Sequence, residues 1–440
     1  MLTQSEVMAL RRDFPALQQR HPVNGKPPIY LDNSCVTLKP LSVANAVWDY
    51  TARFSGCGGH RSDHWFSAVT EERVMASRRA LAELLGVPMT RTGTGEETYP
   101  VIFTRNTSES LNLLSRSLGL LEGESVLVSN KEHNSNLCPW QELERHGTGV
   151  RYTHFNKDNT FDLDGCADIL RTDRSIKLVS LHHSSNLDGV CTPVAEIVAL
   201  IRRIEAEQQR TIFICLDGAQ AAPHIPLNLG RPEASGFLDV DFYAGSVHKM
   251  LGPSGVGFLY AKPECLDYMR PFLVGGSTIF ETSIHHKPIY AEWPERFEAG
   301  LQNYAGIHGA GSAADYLQPL MPHIKPYEQH LNSIMTEVLM PLHVAGRVRI
   351  LGPLDSAARG GVCTIILPYF SDDPQVRRLH AVLLDHNVMY RAGQFCVDSW
   401  FSSQSANLPE RYTPIRFSFY FYNTEEEAEL TARLIRKILS

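Results

Sequence analysis

The segment Ser246-Val-His-Lys249, followed by Met-Leu-Gly-Pro-Ser-Gly-Val-Gly257, holds the side chains best suited to chemistry. It comes straight after the strand-like run Asp241–Ser246. A lysine at the carboxyl end of a strand, flanked by Ser and His and followed by a glycine-rich turn, is placed to meet a phosphorylated ligand. A lone lysine on a turn is ordinarily a solvated surface residue, and no GK[ST] follows, so this is not a Walker-type loop. A second group changes the reading. Asp217 ends the run Ile212-Phe-Ile-Cys-Leu-Asp217 and precedes Gly218-Ala-Gln220. A carboxylate there either caps the following turn or, if buried, demands a cation. It precedes Lys249 by 32 residues, about one crossover unit, so the two can face one crevice. A Schiff-base lysine with an aspartate opposite a pyridinium nitrogen is what pyridoxal 5′-phosphate requires, because the aspartate keeps the ring nitrogen protonated and the ring able to accept electrons.

Other residues fall where such a ligand needs them. Thr104-Arg-Asn-Thr107-Ser108-Glu109 lies between a strand run and a helical pattern, where N–H groups and hydroxyls receive an anion; Thr107 also suits an N-cap. His133 follows the run Ser125–Ser129 and can stack on a flat ring, although alone it is a loop histidine. Asn186, just beyond Lys177–His183, suits a phenolic or carboxylate oxygen. The pair His182-His183 invites a metal reading, but no HExxH motif or third ligand at useful spacing accompanies it, so no metal is expected.

The elements that must position these residues follow a rhythm. Between about residues 100 and 260, short apolar runs (101–104, 125–129, 177–183, 212–217, 241–246 and 256–261) alternate with helical patterns at Thr107–Ser117, Leu137–Arg145 and Pro193–Ala206. This predicts an α/β chain with a large, doubly wound, mostly parallel sheet. After residue 300 the pattern becomes a smaller α+β domain. It has helices at Ile307–Leu317, Tyr327–Leu342 and Gln375–Asp385, an alternating strand Ile415–Tyr422, and a last helix opened by the capping box Thr424–Glu427. The expected division is an N-terminal arm (1–30) packing with the small domain, a large cofactor domain (31–300) and a small domain (301–440). Gly86–Tyr99 and Ser399–Thr413 read as loops because both are polar and aperiodic. The chain has 440 residues, 43% hydrophobic and 20% charged, with net charge −7, so a disordered chain and a nucleic-acid binder are both disfavoured. Neither a secretory signal nor a spanning helix is expected, hence no membrane partner. Nine cysteines, none closer than 22 residues to the next, provide no zinc or iron–sulfur spacing and suit a reducing cytoplasm.

Taken together, the ordered residues resemble the class V aminotransferase family of fold-type I pyridoxal phosphate enzymes, and within it the group II cysteine desulfurases. The likeness runs through Tyr30–Asn33, Gly59-His-Arg61, Phe103–Glu109, Glu132–Asn136 closed by Pro139-Trp140, Ser185-Asn186, Asp217–Gln220 and Ser246–Lys249. It continues through Gly275-Gly-Ser-Thr278, Arg296–Gly300, Arg391-Ala-Gly393-Gln-Phe-Cys396 and Ile415-Arg416-Phe-Ser. The resemblance implies that Lys249 forms the Schiff base, Asp217 meets the pyridinium, His133 stacks on the ring and relays a proton, and Gln220 bonds the phenolic oxygen. It assigns the phosphate to Thr107, Ser108, Ser246 and His248, with Thr278 arriving from the second subunit of a homodimer. Asn186 and Arg416 would grip the substrate carboxylate, and Cys396 would take sulfur from L-cysteine, or a related sulfur amino acid, as a persulfide for an acceptor protein.

Some positions depart from the family pattern. Gln394-Phe395 stands where two histidines are usual, Val397–Trp400 replaces apolar residues, the span from Cys396 to Arg416 is longer, and Asn33-Ser34-Cys35 replaces an Ala-rich stretch. These keep three alternatives open. A C–S lyase, epimerase or aminotransferase of the same fold would leave Cys396 incidental, and a sulfur-relay or scaffold protein would lack turnover. A further alternative is that Phe395 and Trp400 bury Cys396 as an inert thiol. Cys35 is a second candidate thiol near the cofactor, with a structural role the expected one.

Overall fold

The computed structural model describes residues 1–58, 62–156, 159–404 and 406–440. The motif Gly59-His-Arg61 lies outside them. Seven short apolar runs form one sheet: β1 (Val101–Thr104), β2 (Ser125–Ser129), β3 (Gly149–Thr153), β4 (Ile176–His182), β5 (Phe213–Asp217), β6 (Phe242–Ser246) and β7 (Gly257–Ala261). Their order is β1-β7-β6-β5-β4-β2-β3. All neighbours are parallel except those of β7, which runs against both β6 and β1. The runs are continuously apolar because both faces are covered. Successive residues of one strand go to different cores: Val101 and Phe103 pack on one side and Ile102 on the other, and likewise Tyr243 against Phe242 and Ala244. The expected doubly wound, mostly parallel architecture is what forms.

A second, all-antiparallel sheet follows. It comprises β8 (Arg349–Ile350), β9 (Val362–Leu367), β10 (Arg391–Ala392) and β11 (Thr413–Ser418), in the order β8-β9-β11-β10. Helices Met321–Val344, Pro374–Asp385 and Glu425–Leu439 accompany it. The last opens with the expected capping box, Thr424 and Glu427 bonding each other's backbone N–H. The chain's start joins this region: Arg11 donates to the Tyr422 carbonyl and to Glu427 (2.8 Å), and Ile29–Tyr30 pairs with Val388–Met389. Helix Tyr304–Leu317, by contrast, packs against Leu41–Arg53 and Trp65–Leu84. Gly311 permits that approach, since a Cβ there would lie 2.5 Å from the Ser77 hydroxyl.

Three local readings are corrected. Within Gly86–Tyr99, Thr90–Arg91 and Glu97–Thr98 pair as a small hairpin. The segment after Cys396 is not all loop: Asp398–Ser403 is a helix, because Trp400 and Phe401 are buried beside Leu187, Leu351 and Ile366. The strand expected through Tyr422 ends at Ser418. Phe419–Tyr422 leaves the sheet but stays buried, and the Tyr420 hydroxyl is satisfied by the Pro223 carbonyl (2.9 Å).

Candidate active site

Strands β4, β5 and β6 end with His182, Asp217 and Ser246, and all three line one cavity of about 410 Å³. Ligands of open α/β sheets bind beyond these carboxyl ends. From the other side the cavity is closed by Ser34, Cys35, Arg391, Phe395, Cys396 and Arg416. Of the residues singled out from sequence, Thr107, Ser108, His133, Asn186, Asp217, Gln220, Ser246, His248, Lys249, Cys396 and Arg416 all meet here. Thr278 does not meet them within its own chain. It is buried, and its hydroxyl is engaged with the Gly275 backbone.

Asp217 is 5% exposed and accepts a hydrogen bond from the Ala219 N–H (2.9 Å). Burial raises its pKa, with the Lys249 charge opposing. Gly218 lets the turn pass the Tyr243 ring, because a Cβ there would clash at 2.0 Å. Lys249 stands on the short turn Val247–Lys249 after β6, and burial pulls its pKa down to about 8 against the pull of Asp217. Its ammonium donates no hydrogen bond among the described residues.

Helix Thr107–Ser117 starts at the cavity, capped by Asn106, whose side chain accepts from the Glu109 N–H (3.0 Å). The Ser246 hydroxyl accepts from the Thr107 N–H (2.8 Å) and pairs with its Oγ1 (2.6 Å), while Ser108 pairs with Ser135 (2.6 Å). Hydroxyls gathered at a helix N-terminus make an anion cradle. His248 beside it stays neutral, its pKa lowered to about 4 by burial and by Lys249 and Lys39. His133 is likewise lowered to about 4, by burial, Lys249 and Arg416. Its Nδ1 accepts from the Ser135 N–H (3.1 Å), so the proton of the neutral ring sits on Nε2.

Arg416 is 3% exposed on β11, and burial lowers its pKa to about 10. It donates to the Asn186 carbonyl (2.9 Å), stacks over the Phe395 ring and leaves its Nε without a partner among the described residues. The Asn186 amide in turn donates to the Phe395 carbonyl (2.8 Å), and Gln220 donates to that of Ser34 (2.7 Å). Phe395 and Trp400 do pack down, as the inert-thiol alternative required, yet Cys396 is exposed at the cavity. Phe395 and Cys396 both have left-handed backbone (φ 55° and 58°), and the Cys396 carbonyl is held by the Asn134 N–H (2.7 Å). Sequence reading gave no role to Asp32, although it holds Arg391 by its Nε (3.1 Å) and Nη2 (2.7 Å). Nor did it foresee Glu132 bonding His182. Both contacts join segments far apart in the chain, and no local spacing marks them.

The residues fit pyridoxal 5′-phosphate. A buried carboxylate lacking a directly bonded cation, an ammonium with no hydrogen-bond acceptor and a helix N-terminus lined with hydroxyls are the three partners that a pyridinium, an aldehyde and a phosphate require. Comparison with known proteins agrees. Residues 29–430 match the family described as aminotransferase class-V. The chain is 32% identical to a probable cysteine desulfurase 2 of Mycobacterium leprae, covering 99% of this chain and 98% of that one. It is 32% identical to a cysteine desulfurase of Serratia proteamaculans, covering 98% and 97%. A solved apo structure of cysteine desulfurase from Thermococcus onnurineus matches with a TM-score of 0.83 and 27% identity, over 100% of this chain and 98% of that chain. The chain belongs to the class V aminotransferase family. Its fold is that of the fold-type I pyridoxal phosphate enzymes, and pyridoxal phosphate is its cofactor.

Proposed function

We propose that the protein is a cysteine desulfurase, converting L-cysteine and its own Cys396 thiol into L-alanine and a Cys396 persulfide. The observation that carries this is the placement of an exposed Cys396 in the same cavity as Lys249, Asp217 and Arg416. Thr107, Ser108, Ser246 and His248 would hold the cofactor phosphate, Asp217 its pyridinium and Gln220 its phenolic oxygen, with His133 available to the ring. Bound there, the cofactor supplies an electron sink for charge at the substrate Cα. Arg416 grips the substrate carboxylate, with Asn186 beside it. Lys249 Nζ moves the Cα proton, and His133 Nε2 is the second proton-carrying atom on the substrate side. The Cys396 thiolate attacks the substrate sulfur, so the C–S bond breaks as the S–S bond forms.

The same reading makes the chain a homodimer whose partner's loop completes the phosphate site. Exposed Phe272, Leu273, Val274, Phe280 and Ile284 flank Thr278 and support a covered face. An acceptor protein meets the persulfide at the cavity mouth, and nine free thiols suit a reducing, cytoplasmic setting. Residues 1–30 with the antiparallel region form one unit and the seven-stranded sheet the other. No helix among the described residues is long and apolar enough to cross a membrane. Product analysis tests the function: alanine with bound persulfide, or with sulfide when a thiol reductant is added, is expected from L-cysteine, whereas pyruvate and ammonia would assign a C–S lyase.

A further inference from the structure

The adjacent histidines of the β4 end point to separate tasks. His183 bonds the Tyr243 hydroxyl (3.0 Å). His182, 4% exposed, lines the active-site cavity, and its Nε2 is buried without a hydrogen-bond partner among the described residues. Its ring stacks on Phe155 (interplanar angle 10°), which also meets Phe161 edge to face and has the Lys131 ammonium 4.4 Å from its ring centre.

Glu132 braces His182. The carboxylate is fully buried and takes three donors: His182 Nδ1 (2.9 Å), the Ser129 hydroxyl (2.5 Å) and the Asn136 amide (2.8 Å). A carboxylate oxygen accepts, so Nδ1 carries the proton and Nε2 is the free position. His182 is also the register partner of Asp217 on the neighbouring strand, which puts the two side chains on the same face of the sheet. Two buried carboxylates therefore flank one imidazole. Glu132 raises the proton affinity of Asp217 and His182 lowers it; Lys249, Tyr243 and the Cys215 thiol also face Asp217.

We propose that His182 is a positioning residue that shields Asp217 from Glu132 and so keeps Asp217 an anion able to hold the cofactor pyridinium. This rests on the pyridoxal phosphate reading but not on the identity of the substrate. Imidazole does this where a phenyl ring of similar shape does not, since imidazole donates to Glu132 and still presents a second nitrogen to the cavity.

The test is equilibrium binding of pyridoxal 5′-phosphate to stripped full-length protein. His182→Phe, which keeps the stack on Phe155, is expected to weaken binding about tenfold, the factor that one unit of pKa change in Asp217 represents. His182→Phe combined with Glu132→Gln should recover most of that loss, because the carboxylate being shielded is gone. His182→Leu, which likewise donates nothing to Glu132, replaces His182→Phe in both arms if the phenylalanine variant does not fold. Native-like binding by the single variant, or weakened binding with no recovery in the double, overturns the proposal. Failure of the native protein to bind pyridoxal phosphate would instead overturn the cofactor reading, and a product other than alanine would leave this inference standing.

Discussion

Arg391 and Arg416 are register partners on adjacent antiparallel strands, and both lean on the single carboxylate of Asp32, at 2.7 and 3.5 Å. Two guanidiniums side by side repel, and the shared carboxylate is what makes the pairing tolerable. Asp32→Asn removes that charge while keeping the side chain's size. Arg416, proposed to grip the substrate carboxylate, then loses the Asp32 contact that helps orient it. We expect KM for L-cysteine to rise roughly tenfold, about 1.4 kcal/mol of lost binding, with the cofactor absorbance unchanged. Steady-state kinetics beside the absorption spectrum check this.

Lys249 is proposed to link cofactor and chemistry. The purified protein should be yellow, and borohydride should fix the cofactor covalently to the peptide containing Lys249. Lys249→Ala removes both the attachment point and the group that moves the Cα proton, so turnover should fall by at least about 10⁴-fold. Reduction followed by peptide mass spectrometry locates the linkage, and full activity in the variant would contradict the assignment.

His133 and His248 predict a pH dependence of the cofactor-free protein. Both have folded-state pKa values near 4, lowered by burial and neighbouring cations from the ordinary 6.5. Between pH 6.5 and 4 the unfolded chain binds the extra protons, so stability falls as pH falls through that window. Glu295, pushed up to about 7 by burial, works in the opposite sense below pH 7. The histidine contribution is therefore read as a difference. Urea unfolding of a His133→Gln/His248→Gln variant should show a shallower acid loss than the native chain, by up to about 1.4 kcal/mol per pH unit for each proton removed.

Lys249, Asp217 and Thr107 are legible in the sequence because each ends or follows a short apolar run, and the ends of such runs are where a parallel sheet presents its ligand groups. The sheet itself is legible for the same reason: strands covered on both faces must be apolar throughout. Contacts that depend on which strands become neighbours are not. Glu132 and His182 are 50 residues apart and meet only because β2 lies beside β4. Asp32 meets Arg391 across 359 residues. The helix Asp398–Ser403 escapes a local reading because its polar stretch contains only two core anchors, Trp400 and Phe401, and tertiary packing decides its conformation. Thr278 is a different case, since the task assigned to it lies in another subunit.

The two cavity thiols should separate by role. Arg391 Nη2 lies 2.9 Å from the Cys35 sulfur, which ties that thiol to the structure around Asp32. Cys396 is exposed on a left-handed turn. Cys396→Ala should retain the cofactor absorbance and lose most desulfuration, by about 10²-fold or more, whereas Cys35→Ala should keep most of it. Parallel assays of alanine formation in both variants decide the matter, and unimpaired desulfuration in Cys396→Ala would move the protein to the C–S lyases.

The most direct measurement is the mass of the peptide bearing Cys396 after the holoenzyme meets L-cysteine without reductant and is alkylated. Sulfur transfer predicts one added sulfur on Cys396, formed together with alanine and absent from the Lys249→Ala protein. An unmodified Cys396 peptide from enzyme that has nevertheless consumed L-cysteine would contradict the account.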